Sequence, residues 1–214
     1  MAEDHRRCRL CLVTPADRGV ADCERLVAEA LSGGDVAALI VTGADEDQLQ
    51  AMAAAVVPVA THRGVAALIH NDTRIAGRVH ADGVHVATGP EAVAAAVAWA
   101  GGKRMVGAGD IASRHEAMLN AEAEPDYLFF GVLDGDRDTE IFPRAFDLAE
   151  WWSEVAVIPA VVMGGAAIAS VDAARDAGID FVALRRAVWD DARGPAAAVA
   201  DANARLGLRR EAAA

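Results

Sequence analysis

Positive charge is scarce in this chain. Its 20 Lys and Arg stand against 32 Asp and Glu, for a formal net charge of −12. Nucleic-acid phosphates need clustered cations, so nucleic acid is not the expected partner. The paired arginines are Arg6-Arg7, Arg185-Arg186 and Arg209-Arg210, so any anionic ligand has to be held by a local arrangement. Long apolar runs are missing too: none reaches the roughly 18–20 residues that a membrane span requires. The opening MAEDHRRCRL is polar and shows no signal-peptide pattern. A cytoplasmic protein without a membrane partner is the expectation.

Cysteine is also sparse, with Cys8, Cys11 and Cys23 alone. Cys8-x-x-Cys11 invites a redox or zinc reading, but there is no second pair and no nearby His to complete four ligands. Cys11 lies in a predicted strand, where an odd separation sends the two side chains to opposite faces. Buried, reduced thiols are expected.

What is there is a regular alternation. The chain has 214 residues, 54% of them apolar and 24% charged, enough for one domain with a full core. Short apolar runs at 9–15, 36–42, 66–72, 83–86, 104–110, 127–132, 159–165 and 181–188 read as strands. Between them lie helical segments, among them DEDQLQAMAAAV, PEAVAAAVAWA with Pro90 near its first position, and SRHEAMLNAEA. In the last of these Ser113 and Glu116 have capping-box spacing. The strands do not alternate apolar with polar residues, which fits parallel strands covered on both faces. Eight βα units predict an α/β fold, a single (β/α)8 TIM barrel over residues 1–214. A doubly wound open sheet is the alternative. The longest irregular stretch is the acidic LDGDRDTE at 133–140, and the closing RREAAA reads as a frayed tail.

In such barrels chemistry gathers at the C-terminal ends of the strands. His70, Asn71 and Asp72 end strand three. Thr14, Thr42, His85, Thr88, Gly109, Asp110, Asp134, Gly164, Gly165, Arg185 and Arg186 end others. Gly164-Gly165 after strand seven and Arg185-Arg186 in strand eight fit a phosphate site built from backbone N–H groups and an arginine fork. They fit equally a tight turn beside arginines paired with neighbouring acids. Asp72 could hold Mg²⁺ that in turn binds a diphosphate, with His85 as acid, base or orienting group. Asn71 and Asp72 could instead cap the turn that follows. Asp134, Asp136 and Asp138 alternate as metal loops sometimes do, though an exposed acidic loop is the simpler account. His62, His80 and His115 read as surface residues.

Taken in order, LIHND (68–72), ADGVHV (81–86), DYLFFG (126–131), IPAVVMGG (158–165) and DAGIDFVALRRAV (176–188) resemble the strand motifs of the thiamine phosphate synthase and thiazole tautomerase family. The resemblance covers most of the chain. It implies a transferase that joins a hydroxymethylpyrimidine diphosphate to a thiazole phosphate. Diphosphate leaves with help from Mg²⁺, through a carbocation-like pyrimidine that the thiazole nitrogen captures. On matching positions Asn71 and Asp72 contact the pyrimidine diphosphate and metal. Gly164, Gly165 and the backbone near Arg185 and Arg186 hold the thiazole phosphate, and Gly131 joins that set.

At several family positions this chain carries something else. The Q-x-R-x-K at the end of strand two falls on Leu39, Val41 and Gly43. A second metal-site Asp falls on Pro90, where the adjacent Glu91 could substitute. The T-x-T-K of loop six falls on Asp136, Asp138 and Thr139, the serine of strand eight on Arg186, and the tautomerase histidine on Val132. A charge-assisted hydrogen bond to a buried anion is worth roughly 1.5–3 kcal/mol, and these replacements forgo several of them. A non-catalytic barrel binding a small phosphorylated metabolite is therefore the alternative function. Self-association into a homo-oligomer stays open.

Overall fold

The computed structural model describes residues 7–207; Arg6 and the RREAAA segment lie outside the described residues. The elements run β1 (Arg9–Val13), α1 (Val20–Ala30), β2 (Ala38–Val41), α2 (Glu46–His62), β3 (Ala66–His70), α3 (Thr73–Arg78), β4 (Gly83–Val86), α4 (Pro90–Ala100), β5 (Met105–Ile111), α5 (Arg114–Ala121), β6 (Tyr127–Phe130) and α6 (Pro143–Val155). They continue as β7 (Ala160–Met163), a 3-10 turn (Ile168–Ser170), α7 (Val171–Asp176), β8 (Phe181–Leu184), α8 (Arg186–Trp189) and α9 (Pro195–Arg205). Each strand pairs in parallel with the next, and β8 returns to β1, with Leu10 opposite Val182. The closed ring rules out the open doubly wound sheet.

The continuous apolar runs are explained by two separate cores. Leu10, Leu12, Leu39, Val84, Leu128 and Val182 face the helices. Their neighbours Cys11, Val13, Ile40, Leu68, Phe129 and Val161 fill the barrel interior. Period-two alternation therefore persists, but both faces are apolar. Cys8 belongs to the outer core and Cys11 to the inner one, on opposite faces as the spacing predicted. Burial pushes the Cys8 and Cys11 thiols up to about 12 and that of Cys23 up to about 11, so all three are unreactive thiols.

Caps set the helix starts. Asp45 accepts from the Gln48 N–H at 2.8 Å and Ser113 from the Glu116 N–H at 3.2 Å. The Glu116 carboxylate reaches one residue beyond the cap, to the Ala112 N–H at 2.7 Å. Two expected boundaries are corrected. α2 continues through Pro58 to His62, where buried Val57 and Ala60 keep it on the sheet. β8 stops at Leu184, so Arg185 and Arg186 are not strand residues: Arg185 turns the chain (φ −131°, ψ −87°) and Arg186 opens α8.

At the N-terminal rim one device recurs. The ladder leaves the first N–H groups of a strand unpaired. Asp82, before β4, accepts from Ala67 N at 2.8 Å. Asp126, before β6, accepts from Val106 N at 2.7 Å, and Asp180, before β8, from Ala160 N at 2.9 Å. Ahead of β2, Asp35 instead takes the Arg9 guanidinium at 2.9 and 2.8 Å.

Candidate functional site

The C-terminal rim encloses a cavity of about 330 Å³. Val13, Ala16, Ala87, Val132 and Leu133 give it apolar walls; Thr42, His70, Asn71, His85, Asp110, Asp134 and Arg185 supply the polar groups, and Gly131 completes one side. Of the expected residues, Asn71, His85, Gly131 and Arg185 therefore share one cup.

His85 lies on the cup's lining and is backed by Tyr127. His85 Nδ1 lies 2.9 Å from the Tyr127 hydroxyl, and the ring packs edge-on against Phe129. Room for this pair comes from β5. A Cβ on Gly107 would fall 1.9 Å from the Tyr127 ring, and one on Gly109 would fall 2.4 Å from His85 Nε2. Two glycines one residue apart on a strand share a face, so the signal for this layer was the GAG of VGAGD. Burial, aided by His70, pushes His85 down to about 3. The imidazole is neutral at physiological pH, and its Nε2 is buried without a hydrogen-bond partner among the described residues.

His70 stands above, also lowered by burial, and meets the Asn71 amide at 3.0 Å. Asn71 Oδ1 accepts from Ala87 N at 2.7 Å, so its NH₂ faces His70 Nε2, the acceptor of a neutral imidazole. Asn71 has φ +56°, a left-handed conformation that Asn tolerates better than most residues. That turn ends β3 and aims the amide across the mouth. Asp110 also has positive φ, +56°, where the β5–β6 register shifts between Ala108 and Ile111. Such bulges re-aim a side chain at a rim. Asp110 was legible as a strand end, but its aim was not.

Asp72 caps α3. Its Oδ1 accepts from the Arg74 and Ile75 N–H groups, each at 2.8 Å, and its Oδ2 faces the Arg74 guanidinium at 3.4 Å. Glu91 is exposed in the first turn of α4. No group of three His, Cys, Asp or Glu side chains among the described residues is arranged to hold a metal. A Mg²⁺ ion wants several free oxygens in octahedral array, whereas Asp72 is committed to amide donors beside a cation. The expected pair of metal ligands, Asp72 and Glu91, does not fit the ion.

Asp136 overturns the expectation of a wholly exposed acidic loop: it is 1% exposed. One of its oxygens accepts from Arg185 Nε at 3.0 Å and Nη2 at 2.7 Å. The other accepts from the Arg186 N–H at 2.6 Å. Arg186 itself points outward to Asp190, 3.3 Å away. The N–H groups near Gly164-Gly165 are engaged as well: Gly165 N by Ser170 Oγ at 3.0 Å, Ala166 N by the Asp138 carbonyl at 2.7 Å and Ala167 N by the Thr139 carbonyl at 3.3 Å. Asp134 remains on the cavity wall, its 3.9 Å contact with Arg137 being an exposed pair that contributes little.

Fold and site define a (β/α)8 barrel with a cup at its C-terminal rim. A family profile described as thiamine monophosphate synthase matches residues 10–188. The thiamine-phosphate synthase of Hyphomonas neptunium is 34% identical over 211 residues, covering 95% of this chain and 96% of that protein. The one from Rhodospirillum centenum is 32% identical, covering 92% and 96%. The chain belongs to the thiamine monophosphate synthase family. Among solved structures, the thiamine phosphate pyrophosphorylase of Pyrococcus furiosus superposes with a TM-score of 0.75 at 21% identity, covering 94% of this chain and 96% of that one. A 3-hexulose-6-phosphate synthase superposes at 0.70 and 19%, covering 91% and 98%. These two likenesses concern the fold alone.

Proposed function

We propose that the chain is a divergent thiamine-phosphate synthase, joining a hydroxymethylpyrimidine diphosphate to a thiazole partner with release of diphosphate. Thiazole phosphate is the partner the family uses. The names of the relatives support this reading, and one observation carries it on the structural side: two exposed carboxylates, Asp110 and Asp134, stand on the wall of a largely apolar cup. As the C–O bond to diphosphate breaks, the pyrimidine methylene gains positive charge. The thiazole nitrogen lone pair then forms the C–N bond, and the charge passes to the thiazolium. Carboxylates on the wall of the cup favour both cations. Asn71 would position the pyrimidine: its exposed amide keeps one N–H and one lone pair after bonding His70 and Ala87. The neutral His85 beneath would hold His70 in place.

A second reading is a barrel that binds such a heterocycle without the reaction. Leu39 and Val41 are buried in β2, so that strand end offers a diphosphate no cation, and Asp72 is committed to capping α3.

A joining assay with the pyrimidine diphosphate, Mg²⁺ and either the thiazole phosphate or its free alcohol tests the first reading. Product above the level of a reaction without protein supports it, and none above that level overturns it. Calorimetry with thiamine phosphate tests the second: binding without turnover supports it, and absence of binding to the product and to either substrate removes it.

A further inference from the structure

Loops seven and eight of (β/α)8 barrels commonly cradle a phosphate with backbone N–H groups and a nearby cation. Here the N–H groups of Gly164, Gly165, Ala166, Ala167 and Arg186 already have partners within the chain, and the partner of the last is an anion. The Asp136 carboxylate gathers the Arg185 fork and the Arg186 N–H. These are the donors that would meet two phosphate oxygens. The glycine pair, whose value to a phosphate is close backbone approach, is approached instead by the chain itself: a Cβ on Gly165 would lie 2.3 Å from the Thr139 carbonyl oxygen. Asp138 and Thr139 then occupy the next two amides. Arg185 is only 20% exposed and the Asp136 side chain is fully buried, so solvent does not weaken their pairing as it would a surface pair. A dianion arriving at this corner would also face Asp110 and Asp134 across the cup.

We infer that Asp136 is a resident anion filling the phosphate subsite, so that the ligand this mouth takes carries no phosphate at that end. Its occupant there is a neutral or cationic nitrogen heterocycle ending in a group such as a hydroxyl. The inference rests on reading the mouth as the thiazole-side site, and it replaces the phosphorylated thiazole by the free alcohol.

Two measurements test it. The first compares thiamine with thiamine phosphate by calorimetry, since they differ only in phosphate. The wild-type protein should bind thiamine at least as tightly as thiamine phosphate. The Asp136→Ala variant, with Arg185 and the Arg186 N–H freed, should prefer the phosphate ester about tenfold or more. A wild-type preference of that size overturns the inference, as does an Asp136→Ala variant that binds both equally. If the variant does not fold, the wild-type comparison decides alone. The second measurement adds inorganic phosphate during thermal unfolding. Phosphate should raise the melting temperature of Asp136→Ala and leave the wild type unmoved, and adding Arg185→Gln to the variant should abolish the gain. Equal shifts in wild type and variant, or none in either, overturn the inference. Should neither form of thiamine bind while phosphate stabilises only the variant, the assignment of Asp136 stands and the reading of the mouth falls. If the wild type binds thiamine phosphate preferentially and turns over, the outcome is reversed.

Discussion

The two rims of this barrel are built on different plans. At the N-terminal rim the same contact is made three times, an aspartate before β4, β6 and β8 accepting the first free N–H of the preceding strand. At the C-terminal rim no such side-chain contact repeats. β1 and β2 close on each other through Thr14 and Thr42, 2.8 Å from Thr42 N to Thr14 Oγ1. β3 ends in a left-handed Asn71, β5 in a bulge that projects Asp110, β6 in Gly131 at φ +96° and β8 in an arginine held by a buried carboxylate. Ladder geometry is the same at every strand start, so one solution serves three times. A ligand is not symmetric about the barrel axis, so each strand end facing it differs. The family likeness in ADGVHV, DYLFFG and DAGIDFVALRRAV includes Asp82, Asp126 and Asp180, residues that brace strands rather than touch a ligand.

Removing a member of the buried pair at the upper rim should have the largest effect. Asp136→Ala leaves Arg185 charged, largely buried and without its carboxylate, a change that costs about 3–5 kcal/mol. Urea unfolding should show that loss, and replacing both partners with apolar residues should recover much of it. A loss below about 1 kcal/mol would place the pair with ordinary surface ion pairs and erase the contrast between the rims.

Between the rims lies the His85 layer, which should show itself through pH. Folding holds His85 neutral down to about pH 3, whereas the unfolded side chain takes up a proton near 6.5. The unfolded state thus binds more protons in that window. The stabilising contribution is complete above about 6.5 and is lost as pH falls toward 3. Relative to His85→Gln, the wild type should lose about 2 kcal/mol between pH 7 and pH 5. Parallel urea curves at the two pH values, subtracted, cancel the carboxylate contributions common to both proteins. A difference that does not change with pH would mean that the ring takes up its proton in the fold as readily as in the unfolded chain.

The lower rim should yield less per residue. Asp180→Ala strands the buried Ala160 N–H, and because the carboxylate is itself partly exposed the loss should be about 1–2 kcal/mol. Asp180→Asn keeps an acceptor and should restore most of it. Neither should alter ligand affinity, because the contact lies at the far end of the barrel from the cup. A change in affinity would break the division of labour between the rims.

Legibility in the sequence follows the same division. Strands, helices, the capping Ser113 and the opposed faces of Cys8 and Cys11 depend on neighbours in sequence, and they could be read there. So could the gathering of Asn71, His85, Gly131 and Arg185, because strand ends in a closed barrel must share a rim. The partner of Arg185 could not: Asp136 lies 49 residues away, in a segment whose composition suits a solvated loop. Burial of one carboxylate among several is a tertiary fact with no local periodicity. The bulge that aims Asp110, and the use of Gly107 and Gly109 to admit two rings, are likewise settled across strands.

Asp72 offers the smallest and most discriminating change. As the cap of α3 its task is to accept two N–H groups through Oδ1. Asparagine presents the same oxygen, and caps as well as aspartate does. Asp72→Asn should therefore melt close to the wild type, while Asp72→Ala should lose about 1 kcal/mol. A metal ligand would obey a different order, because exchanging a carboxylate for an amide removes the charge that holds Mg²⁺. Mg²⁺-dependent stabilisation or turnover that Asp72→Asn abolishes while leaving the melting temperature in place would give this residue the role its motif implies, and the upper rim would then be nearer to its relatives than its hydrogen bonds indicate. Equal behaviour of wild type and Asp72→Asn, with a deficit in Asp72→Ala alone, assigns Asp72 to the architecture. In that case the N-D of LIHND belongs with the bracing aspartates in its second letter and with the cup in its first.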